Sequence, residues 1–300
     1  MAGVRRLAEP AHPPRRSAPE RRAESAAWRG ALPLCPLLLF LVVFFLYPVG
    51  QVLSLSLAPG SVGSPFHELV TTPVYRAALW RTLYVSVTVT LACLILGYPV
   101  AYTIATAPRP WSGILLTLAI TPFWISILGR SFTWLVLLQR NGVVNQLLQA
   151  LGVTREPVAL VYNTVGVYIG MIHILLPFMI LSLYSVMRGI DGALLRAAAS
   201  LGASDWQTFR YVYFPLSLPG VAAGTVLLFV MGLGFFITPA LLGGGRVTLV
   251  TMLIETNVHA TLNWPMASAL SVVLLAATLL VLLPSYRLLQ LDRAFGAGSR

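Results

Sequence analysis

Six long apolar stretches joined by short polar links constrain this chain more than any other feature. They fall near residues 31–57, 82–107, 112–138, 160–187, 216–241 and 266–290. A helix needs about 20 apolar residues to cross the hydrocarbon core of a bilayer, and each stretch is long enough. A soluble fold of this size carries about 25% charged residues, whereas this chain is 10% charged and 57% hydrophobic. The expected fold class is an all-α integral membrane protein with six transmembrane helices.

Residues 1–30 are rich in Arg, Pro, Ala and Glu and lack apolar periodicity. Such a segment buries too little surface to offset its ordering entropy, so it is expected to be a disordered tail. The run that follows is too long for a signal-peptide core, and Pro59 stands where cleavage would occur. A retained first span is expected, with the membrane domain covering 31–291. Pro99 and Pro177 are candidate kinks within the second and fourth spans.

All 20 basic residues are arginine, and the net charge is +11. The arginines sit in tails and links rather than on one folded face, which argues against nucleic-acid binding and for the positive-inside pattern. Arg109, Arg188, Arg196 and Arg210, all in short links, place both termini in the cytoplasm. Without lysine the chain has no phosphate-binding loop of the GxxxxGK[ST] type, so any ATP used on its behalf is spent by a partner. The two cysteines, Cys35 and Cys93, lie in apolar runs and offer neither a disulfide framework nor metal-ligand spacing.

The link between spans four and five is polar and structured. In "DGALLRAAASLG" (191–202) Asp191 is an N-cap, a run of helix formers follows, and Gly202 is a stop. In "SDWQTFRYVYFP" Ser204 and Gln207 fit a capping box, and Trp206, Phe209, Val212 and Tyr213 share one side. Pro215 is expected to end this second helix before span five. Two short helices at the membrane surface result, and they could be simple interfacial anchors.

This stretch resembles the signature loop of ABC-type importer permeases, E-A-A-x-x-x-G-x9-I-x-L-P. Ala197, Ala198, Gly202 and Pro215 match outright, Val212 and Phe214 substitute for Ile and Leu, and Arg196 stands where the family has glutamate. "LGYPVAY" (96–102), "LPFMILSLYSVM" (176–187) and "FFITPALLGG" (235–244) are similar to the spermidine/putrescine-type subfamily. The resemblance implies a type I importer. Two permease subunits, here a heterodimer, form the path in the bacterial inner membrane. Cytoplasmic ATPase subunits bind the coupling loop through Arg196, Ala197, Ala198, Gly202, Asp205, Trp206 and Pro215. An external solute-binding protein delivers a polyamine or a related small organic solute. The chain itself is expected to bind no cofactor and to be no enzyme.

Within the spans, His173 is an expected packed histidine or a proton relay, and Arg130 is expected to snorkel outward. The nine acidic residues are Glu9, Glu20, Glu24, Glu68, Glu156, Asp191, Asp205, Glu255 and Asp292, none in the middle of a span. A path for cations would then rest on aromatics such as Trp124, Trp134 and Phe236, with Glu255 the carboxylate nearest to the task. The rival reading is an ion-coupled secondary transporter, which calls for internal repeats and midplane ionisable groups. The sequence shows no clear repeat and only His173 as a relay candidate.

Overall fold

The structure is a computed structural model that describes residues 35–58 and 64–296, with side chains to residue 285. The expected tail over 1–30 lies outside the described residues. Every regular element among the described residues is helical, and the chain divides into two compact units, Met1–Val52 and Leu53–Arg300.

The described residues of the first unit belong to α1 (Cys35–Leu55), a predominantly apolar helix. Residues Val42–Leu46 form a wide π turn, closed by the Tyr47 amide donating to the Val42 carbonyl five residues back. Pro48 follows at once. A proline has no N–H for the carbonyl four residues back, and its ring crowds that carbonyl. Widening the turn just before it relieves both problems.

The second unit is built on three long helices, α3 (Pro73–Thr106), α7 (Thr164–Met187) and α9 (Asp205–Leu233), which pack mutually. On α3 the buried stripe reads Ala78, Thr82, Val85, Ser86, Val89, Thr90, Cys93 and Gly97. Its exposed face carries Trp80, Tyr84, Val87, Leu91 and Ile95. Small and hydroxyl residues thus turn inward and large apolar ones outward, as expected where the solvent is lipid and close backbone approach drives helix association. Among glycines between these three helices the closest approach is at Gly224 of α9, where an added Cβ would lie 2.7 Å from Met179 Sδ and 3.2 Å from Ser182 Oγ. One turn earlier Gly220 faces Val186 in the same way, at 3.0 Å.

The remaining elements are shorter. α2 (Pro65–Thr71) and α11 (Val250–His259) pack with α12 (Trp264–Gly296) around Leu69, Val250, Met266 and Leu270. The Val250 amide donates to Thr82 Oγ1 at 3.0 Å, which fixes the start of α11 to α3. After α6 (Val143–Ala150) the loop is closed by Asn145, which donates to the Gln139 and Val158 carbonyls and accepts from the Val158 amide. Both α3 and α7 stay helical through Pro99 and Pro177.

The third and fifth spans differ from expectation. The run 112–138 is not one helix but α4 (Trp111–Trp124) and α5 (Ile127–Leu137), bent by 93° at the break. Pro122 opens the tight last turn of α4, and Ile125 and Ser126 are extended or irregular. The expected stop at Pro215 is absent. α9 runs unbroken from Asp205 to Leu233 because Phe209–Tyr213 form a second π turn, with the Phe214 amide donating to the Phe209 carbonyl. The proline is accommodated as at Pro48. The span then ends at Leu233, and a separate helix, α10 (Ile237–Leu242), replaces its expected last turns. Among the described residues, five helices are long and apolar enough to cross a membrane, or six with the bent pair counted as one span.

Candidate functional site

The polar loop is a helix–turn–helix whose caps are all made locally. Asp191 accepts from the Ala193 amide at 2.8 Å and opens α8 (Gly192–Ser200). Gly202 closes it with φ +85°, in the left-handed region open to glycine. The Gly202 amide donates to Ala199 and the Ala203 amide to Ala198, so the last carbonyls of α8 are satisfied. Ser204 and Gln207 form the reciprocal capping box that starts α9.

This loop leaves a contact surface open. Arg196, Ala197 and Asp205 are exposed, Ala198 is half-buried, and Pro215 is exposed on α9. Leu194, Leu201 and Trp206 add bare apolar surface, with Leu201 89% exposed. No side chain stands within 4 Å of a Cβ placed on Gly202. Arg196 lies back along its own helix, its Nη1 3.3 Å from where a Cβ on Gly192 would be.

Behind that surface the loop is joined to the bundle by aromatic rings. Phe209 sits edge-on to Tyr98 and Tyr102 of α3, with centroids at 6.2 and 5.6 Å, and stacks on Trp206 at 5.7 Å. Tyr213 is buried and edge-on to Tyr102 at 4.9 Å. Ser217 Oγ donates to the Phe214 carbonyl, and the Tyr98 hydroxyl shares a 2.8 Å hydrogen bond with Ser217. The sequence pointed to the aromatic side of α9 but not to its partners on α3.

At the far end of α9 lies a cavity of about 620 Å³. Its wall combines Phe123 to Ile127 at the break, Ile174 and Phe178 from the middle of α7, Met231 from the end of α9 and Phe235 from the link that follows it. Phe123 and Phe178 meet at 4.6 Å. Arg130 of α5 also lines it and is 95% buried (relative exposure 5%) rather than snorkelling outward. The bend at 125–126 turns α5 away from the course of a straight span, so Arg130 faces this chamber instead of the surface. Its Nε and Nη1 have no hydrogen-bond partner.

The four path candidates therefore separate. Trp124 is 88% exposed and lies on the cavity wall. His173 packs against Trp134 at 5.5 Å, its Nδ1 without a partner, and is not among the wall residues. Phe236 starts α10 while its neighbour Phe235 lines the cavity, a one-residue shift that follows from α9 ending at Leu233. Glu255 is exposed on α11, away from the cavity wall.

The described residues thus combine apolar spans, one of them broken, with a cavity lined largely by aromatic rings and a capped helical loop continuous with one cavity helix. The model of the binding-protein-dependent transport system inner membrane component matches residues 31–291, and the chain belongs to that family. It is 35% identical over 257 residues to the spermidine/putrescine transport system permease protein PotB of Haemophilus influenzae, covering 83% of this chain and 90% of that one. To PotB of Escherichia coli it is 37% identical over 215 residues, covering 72% and 78%. The fold matches a crystal structure of a bacterial ABC transporter involved in the import of the acidic polysaccharide alginate. That match has a TM-score of 0.70 at 18% identity, over 91% of this chain and 98% of that one.

Proposed function

We propose that this chain is one of two different permease subunits of an ATP-driven importer in the bacterial inner membrane, with both termini cytoplasmic. The solute is a polyamine of the spermidine/putrescine class or a related small organic solute, delivered by an external solute-binding protein. ATP is hydrolysed on separate cytoplasmic subunits that dock on the loop of Arg196, Ala197, Ala198, Gly202, Asp205 and Trp206. This chain binds no cofactor of its own.

The observation that carries the reading is the continuity of α9. From Trp206 at the loop to Met231 at the cavity is one helix, a rise of about 38 Å at 1.5 Å per residue. A stiff rod joins the surface an ATPase would move to the wall a solute would pass. Phe209 and Tyr213 couple the same movement into α3. Closure of the ATPase dimer then swings the loop, and the cavity walls of α9 and α7 shift against the broken span. Relatives that move spermidine and putrescine support the solute class.

Reconstitution into proteoliposomes tests this. The complex purified through a tag on this chain should take up labelled spermidine or putrescine only with its solute-binding protein and ATP. Uptake by this chain alone, driven by a proton or sodium gradient, would sink the proposal in favour of a secondary transporter.

A further inference from the structure

Arg130 presents a charge that no acidic side chain among the described residues balances. Two of its guanidinium nitrogens are buried without a hydrogen-bond partner, on the wall of a cavity otherwise lined by aromatic and aliphatic groups and the one hydroxyl of Ser126. It belongs to the first turn of α5, whose N-cap residue Ser126 makes no side-chain cap, so the positive end of that helix faces the same way. A buried charge is tolerated only when paired. The chain has no acidic residue between Glu68 and Glu156 and none in the middle of any other span. A second copy would bring the same shortage and a second arginine.

We propose that a carboxylate on a transmembrane segment of the other permease subunit enters the cavity and pairs with Arg130, forming a buried ion pair at the seam. The inference rests on the two-subunit importer reading above. Three observations favour a resident protein carboxylate over a transported one. The charge must be balanced through the whole cycle, and a solute's carboxylate would leave it bare whenever the site emptied. A bare guanidinium also repels a cationic solute, and a fixed carboxylate removes that repulsion. Finally, Trp124, Ile125, Leu128 and Phe132 around the break are exposed apolar groups, 88%, 53%, 49% and 47% respectively. That surface is suited to burial against a neighbouring helix. The second subunit is therefore a different chain, one that carries an intramembrane Asp or Glu.

The transporter is purified from native membranes in mild detergent through a tag on this chain, as wild type, Arg130→Lys and Arg130→Gln. The amount of second permease recovered per copy of this chain is measured, together with the yield of this chain itself. Arg130→Gln should lower recovery of the second subunit at least about tenfold, while Arg130→Lys keeps most of it. A photo-crosslinking residue at Leu128 should capture a membrane segment containing Asp or Glu. Changing that carboxylate to its amide should repeat the loss, and joining it to Arg130→Gln should restore assembly, because a neutral pair leaves no charge unpaired. Wild-type recovery in Arg130→Gln, or a captured segment without a carboxylate, overturns the ion pair and leaves the importer reading standing. So does normal assembly with a changed preference for carboxylate-bearing solutes, which would assign Arg130 to the solute. A wild-type chain that recovers no second permease overturns both readings.

Discussion

Replacing Phe209 by alanine tests whether the loop transmits motion through its rings. Phe209 is the only residue of the cluster edge-on to both Tyr98 and Tyr102, at 6.2 and 5.6 Å. Each such pair is worth about 0.5–1.5 kcal/mol beyond area burial, so the two contribute roughly 1–3 kcal/mol to holding α9 against α3. A coupling free energy of that size corresponds to about a 5- to 150-fold change in an equilibrium. The helix should still form, since the capping box at Ser204 and the π turn before Pro215 do not depend on the ring. In proteoliposomes with solute-binding protein, Phe209→Ala should keep ATP hydrolysis near wild type and lower solute moved per ATP about fivefold or more. Phe209→Leu, which restores apolar volume without the edge-to-face geometry, should fall between. A wild-type ratio in Phe209→Ala would refute transmission through the rings. A parallel fall in hydrolysis and uptake would show instead that the ring supports docking of the ATPase.

Substitutions at three further positions probe separate parts of the same path. Gly202→Ala should cost about 1–2 kcal/mol locally, because φ +85° is strained for any residue with a Cβ, and Gly202→Asp should leave the protein inserted but uncouple uptake from hydrolysis, read by the same ratio. Gly224→Leu forces atoms into the Met179 and Ser182 contact and should lower stability by about 1–3 kcal/mol. Thermal unfolding followed by tryptophan fluorescence in detergent measures this, with Gly224→Ala closer to wild type because the Met179 thioether can move. Trp124→Ala removes a cavity-wall ring and should raise the KM for uptake about 2- to 30-fold if the ring meets a cation, while ATP hydrolysis without solute stays unchanged.

Local chemistry was the legible part of this fold. Asp191, Gly202, Ser204 and Gln207 act through bonds to residues two to four positions away, so their caps could be read from spacing. The broken span could not. Residues 112–138 are predominantly apolar on both sides of the break, and hydropathy alone does not distinguish a straight helix from one that turns at Pro122. Everything that depended on that straight span then went astray, Arg130 most of all, because a snorkelling arginine and a buried one differ only in where the backbone points. Pro215 misled for the opposite reason. The rule that a proline ends a helix assumes an α-helical turn before it, and a π turn removes the clash on which the rule rests. The same π turn precedes both Pro48 and Pro215, whereas Pro99 and Pro177 sit in unbroken α-helix, so an apolar run closing on proline does not by itself tell the two cases apart.

The composition of the cavity also bears on where specificity resides. On the reading that the solute is cationic, this chain offers it aromatic faces from Phe123, Trp124, Phe178 and Phe235 and no carboxylate. Each such contact is worth roughly 0.5–2 kcal/mol, well below a buried, hydrogen-bonded ion pair. Weak contacts suit a passage, since a site that must be entered and left in one cycle gains nothing from tight binding. On that reading discrimination between solutes is made before entry, by the solute-binding protein. The other subunit's proposed carboxylate, neutralised by pairing with Arg130, would leave the passage weakly binding for cations, which is the condition for turnover. Substitutions on this wall should therefore change the rate and KM of uptake more than the order in which solutes are preferred.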